Sequence, residues 1–378
     1  MSSAPAFDVA IIGAGIAGAS LAYRLAPHLQ VVLLEREAQP GYHSTGRSAA
    51  LFMESYGPPG VRALTRASRD FYELPPAGFT DHPLLHPRGA LYVAAPGQEP
   101  LLATLRAELL PNCPALQTLE RAATLRLVPC LKPDKVAGAL LDPDAMDIDA
   151  NALHQGFLRG FARTGGVLRC NAEFIAATHD GSAWDLRLAD GATVRANLVV
   201  DAAGAWADEV ALACGIAPVG LVPRRRSAFT FNPPVGMDAS HWPVVVGIDE
   251  TWYFKPDAGQ LLGSPANADD TVPHDVAPEE LDIASGIHRI EEATTLTIRR
   301  PNHTWAGLRS FVADGELVIG ADARQAAFFW LAAQGGYGIQ SAAGASELAA
   351  ALVRGSALPE HLAFHGVASA AFMPGRLG

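Results

Sequence analysis

Cysteine is scarce, with four residues in 378, at positions 113, 130, 170 and 214. None is spaced as CxxC and none sits near a histidine pattern. Neither a metal site nor a disulfide framework is therefore expected, and the thiols read as reduced groups of a cytosolic protein. Basic residues are outnumbered, 28 Lys and Arg against 39 Asp and Glu, and the net charge of −11 argues against a nucleic-acid partner. No apolar run approaches the roughly 18 residues that a membrane helix needs. The first strand-like run starts at about residue 7, too early for a removable secretory leader. Together these absences predict a cytoplasmic protein without a transmembrane segment. There are no internal repeats and no low-complexity segment. The one basic cluster, Arg224-Arg225-Arg226, lies in an apolar, strand-like context, which suits anion binding better than a solvated face would.

Glycine is abundant, with 36 residues, and its placement is informative. Asp8-Val-Ala-Ile-Ile-Gly13-Ala-Gly15-Ile-Ala-Gly18, followed by Val31-Val-Leu-Leu-Glu35, reads as strand, glycine turn, helix, strand and acid. That is the dinucleotide-binding fingerprint in its structural context. Gly13 permits the tight turn, Gly15 lets backbone approach a pyrophosphate, and Gly18 lets helix and strand pack closely. Ala14, Ile16 and Ala17 complete the turn. The pyrophosphate is expected on the helix N-terminus, with Glu35 accepting hydrogen bonds from a ribose and Arg36 beside it. Taken alone, the same glycines also describe a turn with no ligand.

The rest of the chain divides around this unit. The polar stretch Gly41-Tyr-His-Ser44-Thr45-Gly46-Arg47-Ser48 reads as a ligand-holding loop, continued by Ala49. Helical spacing resumes at 61–72. Prolines recur from 83 to 143, around a short strand at 90–94 and a helix near 100–110, as in an insertion. Asp149 caps a helix carrying Leu153, Phe157 and Phe161 on one face. Strand-like runs at 167–177, 184–188 and 193–200 then suggest a β-meander, ending in Ala203-Gly204-Ala-Trp206. A second insertion covers 222–304. It has strands at 244–248, 251–254 and 261–263 and a helix at 279–292. The chain closes on a strand at 317–319, an apolar strand from 328, Gly335-Gly336-Tyr-Gly338-Ile339-Gln340 and a helix to about 353, a second glycine turn opening a helix. The expected fold is α/β: a Rossmann-like βαβ domain with a β-meander, plus an α+β substrate domain. The division reads 1–82, 145–221 and 305–378 for the cofactor domain, and 83–144 and 222–304 for the substrate domain.

The N-terminal fingerprint, the meander returning to Ala-Ala203-Gly204 and the C-terminal Gly-Gly-Tyr-Gly turn resemble the FAD-dependent D-amino-acid oxidase superfamily. The stretches from Glu35 to Ala50, from Ile290 to Pro301 and from Thr304 to Gly315 are most similar to the bacterial D-arginine dehydrogenases. The resemblance covers nearly the whole chain. It implies a two-domain D-amino-acid-oxidase-like architecture and FAD held without a covalent bond, since no cysteine lies near the C-terminal glycine turn. It also implies a lid loop at about 50–56 and a quinone or other non-oxygen electron acceptor. The chain carries no mark of oligomeric state and is compatible with a monomer.

Site residues follow from the resemblance together with the local pattern. The resemblance implies Arg309, after the small Gly307, as the clamp on a substrate carboxylate, since a guanidinium forks onto a carboxylate. Arg226 matches a second arginine. Strand alternation puts Arg226 and Arg224 on one face and Arg225 on the other. Tyr253, opposite in phase to Trp252 and Phe254, matches a tyrosine that bonds the carboxylate, and Tyr56 matches a lid tyrosine. Arg309, Tyr56 and Tyr253 are thus the expected catalytic groups, with the Gly336 carbonyl facing the substrate amine. His43, His82 and His86 read as structural.

Two positions depart from the arginine dehydrogenases. Ala90 stands where they carry a glutamate for the substrate guanidinium, and Leu51 where they carry a histidine. A buried guanidinium without a partner costs several kcal/mol, whereas apolar burial contributes about 25 cal/mol per Å². The sequence therefore predicts oxidation of a D-amino acid with a neutral, hydrophobic side chain, with Glu54 as a possible substitute acid. Oxidation of a secondary amine or a 2-hydroxy acid, a nicotinamide enzyme and a non-catalytic flavoprotein remain open alternatives.

Overall fold

The computed structural model describes residues 7–378. Strand Phe7–Ile12 turns over into helix Ile16–Leu25 and returns as strand Val31–Leu34. The strands pair in parallel, Val9 opposite Val31 and Ile12 opposite Leu34. Gly13 has φ +99°, and a Cβ there would lie 2.5 Å from the Ala202 carbonyl oxygen. A Cβ on Gly18 would meet the Gly13 carbonyl oxygen at 1.9 Å, so only glycine lets the helix lie this close to the turn.

Strand Thr193–Asp201 lies parallel on the other side of Phe7–Ile12, and its end pairs in parallel with Phe328–Ala332. Phe174–His179, Trp184–Leu188 and Thr193–Asp201 are successive antiparallel neighbours, which is the meander. The continuous strand expected over 167–177 is instead two. Val167–Arg169 pairs with Val31–Leu34, and Phe174–His179 pairs with Trp184–Leu188. Between them Asn171 takes φ +52°, and the N–H groups of Asn171 and Ala172 bond the carbonyls of Glu37 and Glu35.

Helices Ile16–Leu25, Pro59–Glu73, Ala150–Arg163 and Gly338–Val353 share one apolar core with the sheet, built from Leu21, Leu64, Phe157, Phe161 and Leu348 among others. Asp149 caps Ala150–Arg163 by accepting the Ala152 N–H at 2.8 Å. The small residues of Gly338–Val353 let its neighbours approach: a Cβ on Gly344 would meet the Leu64 carbonyl oxygen at 2.7 Å.

A second sheet of nine strands, mostly antiparallel, draws on 90–142 and 222–311. Its long edge pairing joins Val222–Phe231 to His303–Phe311, with Arg226 opposite Gly307. The expected boundary at 304/305 falls inside this last strand. A small third sheet ties Leu51–Phe52 and Leu85–Pro87 to Met146–Ile148. Among the described residues no helix is long and apolar enough to cross a membrane, and no group of His, Cys, Asp or Glu could hold a metal. Cys113, Cys130 and Cys214 are buried and all four thiols are free.

Candidate functional site

Three adjoining cavities run from the first glycine turn to the second sheet. The first, of about 390 Å³, is walled by Gly13, Gly15, Glu35, Arg36, Ser44, Thr45, Ala203, Gly204 and Trp206. The second, of about 100 Å³, shares Ser44 and Thr45 and adds Ile16, Arg47, Ser48, Ala49, Gly307, Gly335, Gly338 and Ile339. The third, of about 90 Å³, is walled by Leu51, Tyr56, Tyr253, Arg226, Arg309, Gly336 and Gln340. Ser48, Ala49, Arg226, Tyr253, Arg309, Gly336 and Ile339 line both the second and the third.

Several expected cofactor residues stand behind these walls, and two that line them, Arg47 and Gln340, are engaged by neighbouring elements. Ala14 donates its N–H to Glu35 Oε2 at 3.0 Å, and its carbonyl accepts from His154 Nε2 at 2.8 Å, so it orients the acid. Ala17 packs against the helix core, and Gly18 against the turn. Gly46 bonds the Gly41 carbonyl through its N–H. The Arg47 guanidinium turns to the carbonyls of Val276 and Ala306, at 2.9 and 3.2 Å, and to Asp275, clamping the loop to the second sheet. Gln340 donates to the Tyr56 carbonyl at 3.2 Å and to Thr65 Oγ1 at 3.0 Å, tying the 50–56 loop to the C-terminal helix.

The acid expectations also change. Ala90 does not line the third cavity. It is fully buried and pairs with Val244, which does line that wall. Glu54 does not replace the missing acid, because it is bound to Arg69 Nε at 2.6 Å and lies outside the lining. Glu250 is the one acid among the described lining residues of the third cavity. It is exposed, with φ +54°, in the turn between Val244–Gly247 and Tyr253–Asp257. Residue-level pattern missed Glu250, Tyr92, Val244, Val246 and His154. Tyr92 was accessible to it: period-two alternation from Ala90 puts residue 92 on the same face. His43 does line the first cavity, bonded to Glu37 at 3.0 Å.

The arginine run resolves by partner. Arg224 pairs with Asp270 at 2.8 Å, and Arg225 is held by Asp282 at 2.9 Å, by Glu279 and by Asp269. Arg226 forms no ion pair among the described residues, and its buried Nε has no hydrogen-bond partner there. Burial, and then the neighbouring Arg309, push its pKa down to about 10, which leaves it charged at neutral pH. Arg309 likewise forms no ion pair among the described residues; its Nη1 donates to the Tyr56 hydroxyl at 3.3 Å, and it packs on Gly336. Burial works against its charge, but the Tyr56 and Tyr253 hydroxyls more than offset this and hold its pKa above the ordinary value. Two adjacent guanidinium groups thus border the second and third cavities, both charged and short of an anion.

The cavities fit the FAD that the sequence predicts. The line of cavities is long, and its first part offers an acid fixed by two N–H groups: Glu35 accepts from Ala14 and from Glu37, each at 3.0 Å. The Gly13 turn leaves backbone bare where a Cβ would clash, and the positive end of helix Ile16–Leu25 faces the same space. The second cavity is glycine-walled, as a flat ring between two sheets requires.

Comparison with known proteins agrees. A rat protein named mitochondrial dimethylglycine dehydrogenase is 27% identical over 269 residues, covering 68% of this chain and 30% of that protein. The chain thus spans about 30% of the length of the curated relatives it matches first. Iminodiacetate oxidase from Chelativorans sp. BNC1 superposes with a TM-score of 0.81 at 22% identity, covering 97% of this chain and 98% of that one. L-alpha-glycerophosphate oxidase from Mycoplasma pneumoniae, solved with FAD bound, superposes with a TM-score of 0.83 at 18% identity, covering 92% and 94%. A family model described as FAD dependent oxidoreductase matches residues 8–352. With that match over most of its length, and a groove shaped for the cofactor, the chain belongs to the FAD dependent oxidoreductase family and uses FAD.

Proposed function

We propose that this protein oxidises a D-amino acid with a neutral side chain to the imino acid, passing the electrons to a quinone or other non-oxygen acceptor. The supporting observation is the pair Arg226 and Arg309, which forms no ion pair among the described residues and borders both the glycine-walled cavity and the smaller one. A carboxylate satisfies both guanidinium groups. Tyr56 and Tyr253 hydroxyls complete its cage, and the Gly336 carbonyl accepts from the amine. FAD, when bound, supplies the hydride acceptor, without a covalent link to the chain. The residues bind and orient the substrate and exclude water; the substrate cavity has no histidine among its described lining residues, and hydride transfer from an amine that is already neutral needs no protein base. Rates then rise with pH between about 6 and 10.

The neutral preference rests on what stands at the side-chain end. Leu51, Met53, Val244 and Val246 are apolar, and Glu250 is exposed. A solvated carboxylate gives a cation only about 0–1 kcal/mol, too little to offset burying a guanidinium.

Secondary amines are the second reading, favoured by the names of dimethylglycine dehydrogenase and iminodiacetate oxidase. Anaerobic mixing of the flavin-loaded protein with D-amino acids, N-alkyl glycines and 2-hydroxy acids decides among them. Bleaching of the flavin band by neutral D-amino acids supports the proposal. Strongest bleaching by D-arginine, or by N-alkyl glycines alone, would overturn it.

A further inference from the structure

Tyr92, Ser55 and Asp142 form a buried chain beside the substrate cavity. Tyr92 lines that cavity with Met53, Val244 and Val246. Its hydroxyl lies 3.3 Å from Ser55 Oγ, and Ser55 Oγ lies 2.6 Å from Asp142 Oδ2. Asp142 Oδ1 accepts the Asp144 N–H at 3.1 Å. All three side chains are at most 5% exposed, so water does not compete for these contacts.

Counting protons sets the direction of the chain. A carboxylate only accepts hydrogen bonds, and both Asp142 oxygens do so here. Ser55 has one proton, and the shorter contact commits it to Asp142. The Tyr92 proton must therefore point at Ser55 Oγ. The Tyr92 oxygen is left with lone pairs only.

We infer that Asp142, through Ser55, fixes Tyr92 as an acceptor-only group in the cavity wall, and that Tyr92 selects a substrate side chain ending in an uncharged O–H or N–H donor. The inference rests on the proposed function and narrows its neutral side chains to a class. A donor side chain satisfies the Tyr92 oxygen. An apolar isostere leaves that oxygen without a new partner, and a side-chain carboxylate sets lone pair against lone pair. Tyr92 is thus a specificity residue, and Ser55 and Asp142 are positioning residues that act through it.

Flavin reduction at about pH 9 with isosteric pairs tests this. D-Threonine is compared with D-valine and D-asparagine with D-leucine, and D-aspartate serves as the acceptor-only control. The expected kcat/KM advantage of each donor is about fivefold, the worth of one neutral hydrogen bond, with D-aspartate poorest. Tyr92→Phe should bring both ratios to about one. Asp142→Asn, whose amide can donate to Ser55 and free the Ser55 proton for Tyr92, should shrink them and raise D-aspartate relative to D-asparagine. A loss of packing alone would lower both members of a pair together and leave the ratios unchanged. Ratios near one in the natural protein, or unchanged ratios in either variant at equal FAD content, overturn the inference alone. No bleaching by any amino acid overturns the proposed function and this inference with it.

Discussion

Arg226 differs from its two neighbours in the run by forming no ion pair among the described residues. The alternation along Val222–Phe231 was legible in the sequence, because side-chain direction in a strand is a local property. Which arginine lacked a partner was not legible, because the acids come from residues 269–282, brought in by the fold. Arg309→Met should lower kcat/KM for every carboxylate substrate by about 30-fold or more, since truncating one side of a buried charge pair costs roughly 2–5 kcal/mol; stopped-flow reduction measures it. Gly336→Ala should act through the same group, because its Cβ would stand 2.9 Å from Arg309 Nη1. There kcat/KM should drop while FAD content holds. His154 offers a pH test. Burial lowers its pKa, with the Ala14 carbonyl opposing. An unfolded His titrates near about 6.5, so below that pH the unfolded chain takes a proton that the folded one refuses. Stability is then full above about pH 6.5 and falls as the pH drops towards the folded pKa. Melting curves should show that decline, and His154→Gln should flatten it.

At the scale of elements, the glycine turn was readable because strand, turn, helix and acid follow one another within residues 7–35. Gly18→Ala forces the helix off the Gly13 carbonyl, so the purified variant should carry little FAD and melt several degrees lower; absorbance at the flavin band and calorimetry check both. The break at 170–173 was hidden because it depends on partners: the two halves of that run pair with strands far apart in the sequence. Ala90 misled for a similar reason. Its face was right, but the depth of the wall is set by Val244 across the sheet. Glu250 was invisible because its place at the cavity follows from the hairpin that projects it.

For the whole molecule, the resemblance carried the architecture, and the strand pairing shows how the two sheets interlock. Because the strand His303–Phe311 pairs with Val222–Phe231 and the chain then returns to the first sheet, the cavity walls are shared between sheets. FAD should therefore raise the melting temperature of the whole protein in a single transition, by mass action on the folded state; scans at graded FAD concentrations test this. A timing constraint follows from where the walls come from. Gly13 and Gly15 leave the ribosome well before Gly335, Gly338 and Ile339, which follow them by more than 300 residues. A nascent chain halted before residue 335 has the N-terminal turn but no floor for the ring, and the apolar flank of helix Ile16–Leu25 that Gly338–Val353 covers stays bare. Loading of the yellow cofactor thus waits for residues 335–339, and ribosome-stalled chains of graded length should gain flavin in one step once those residues have emerged.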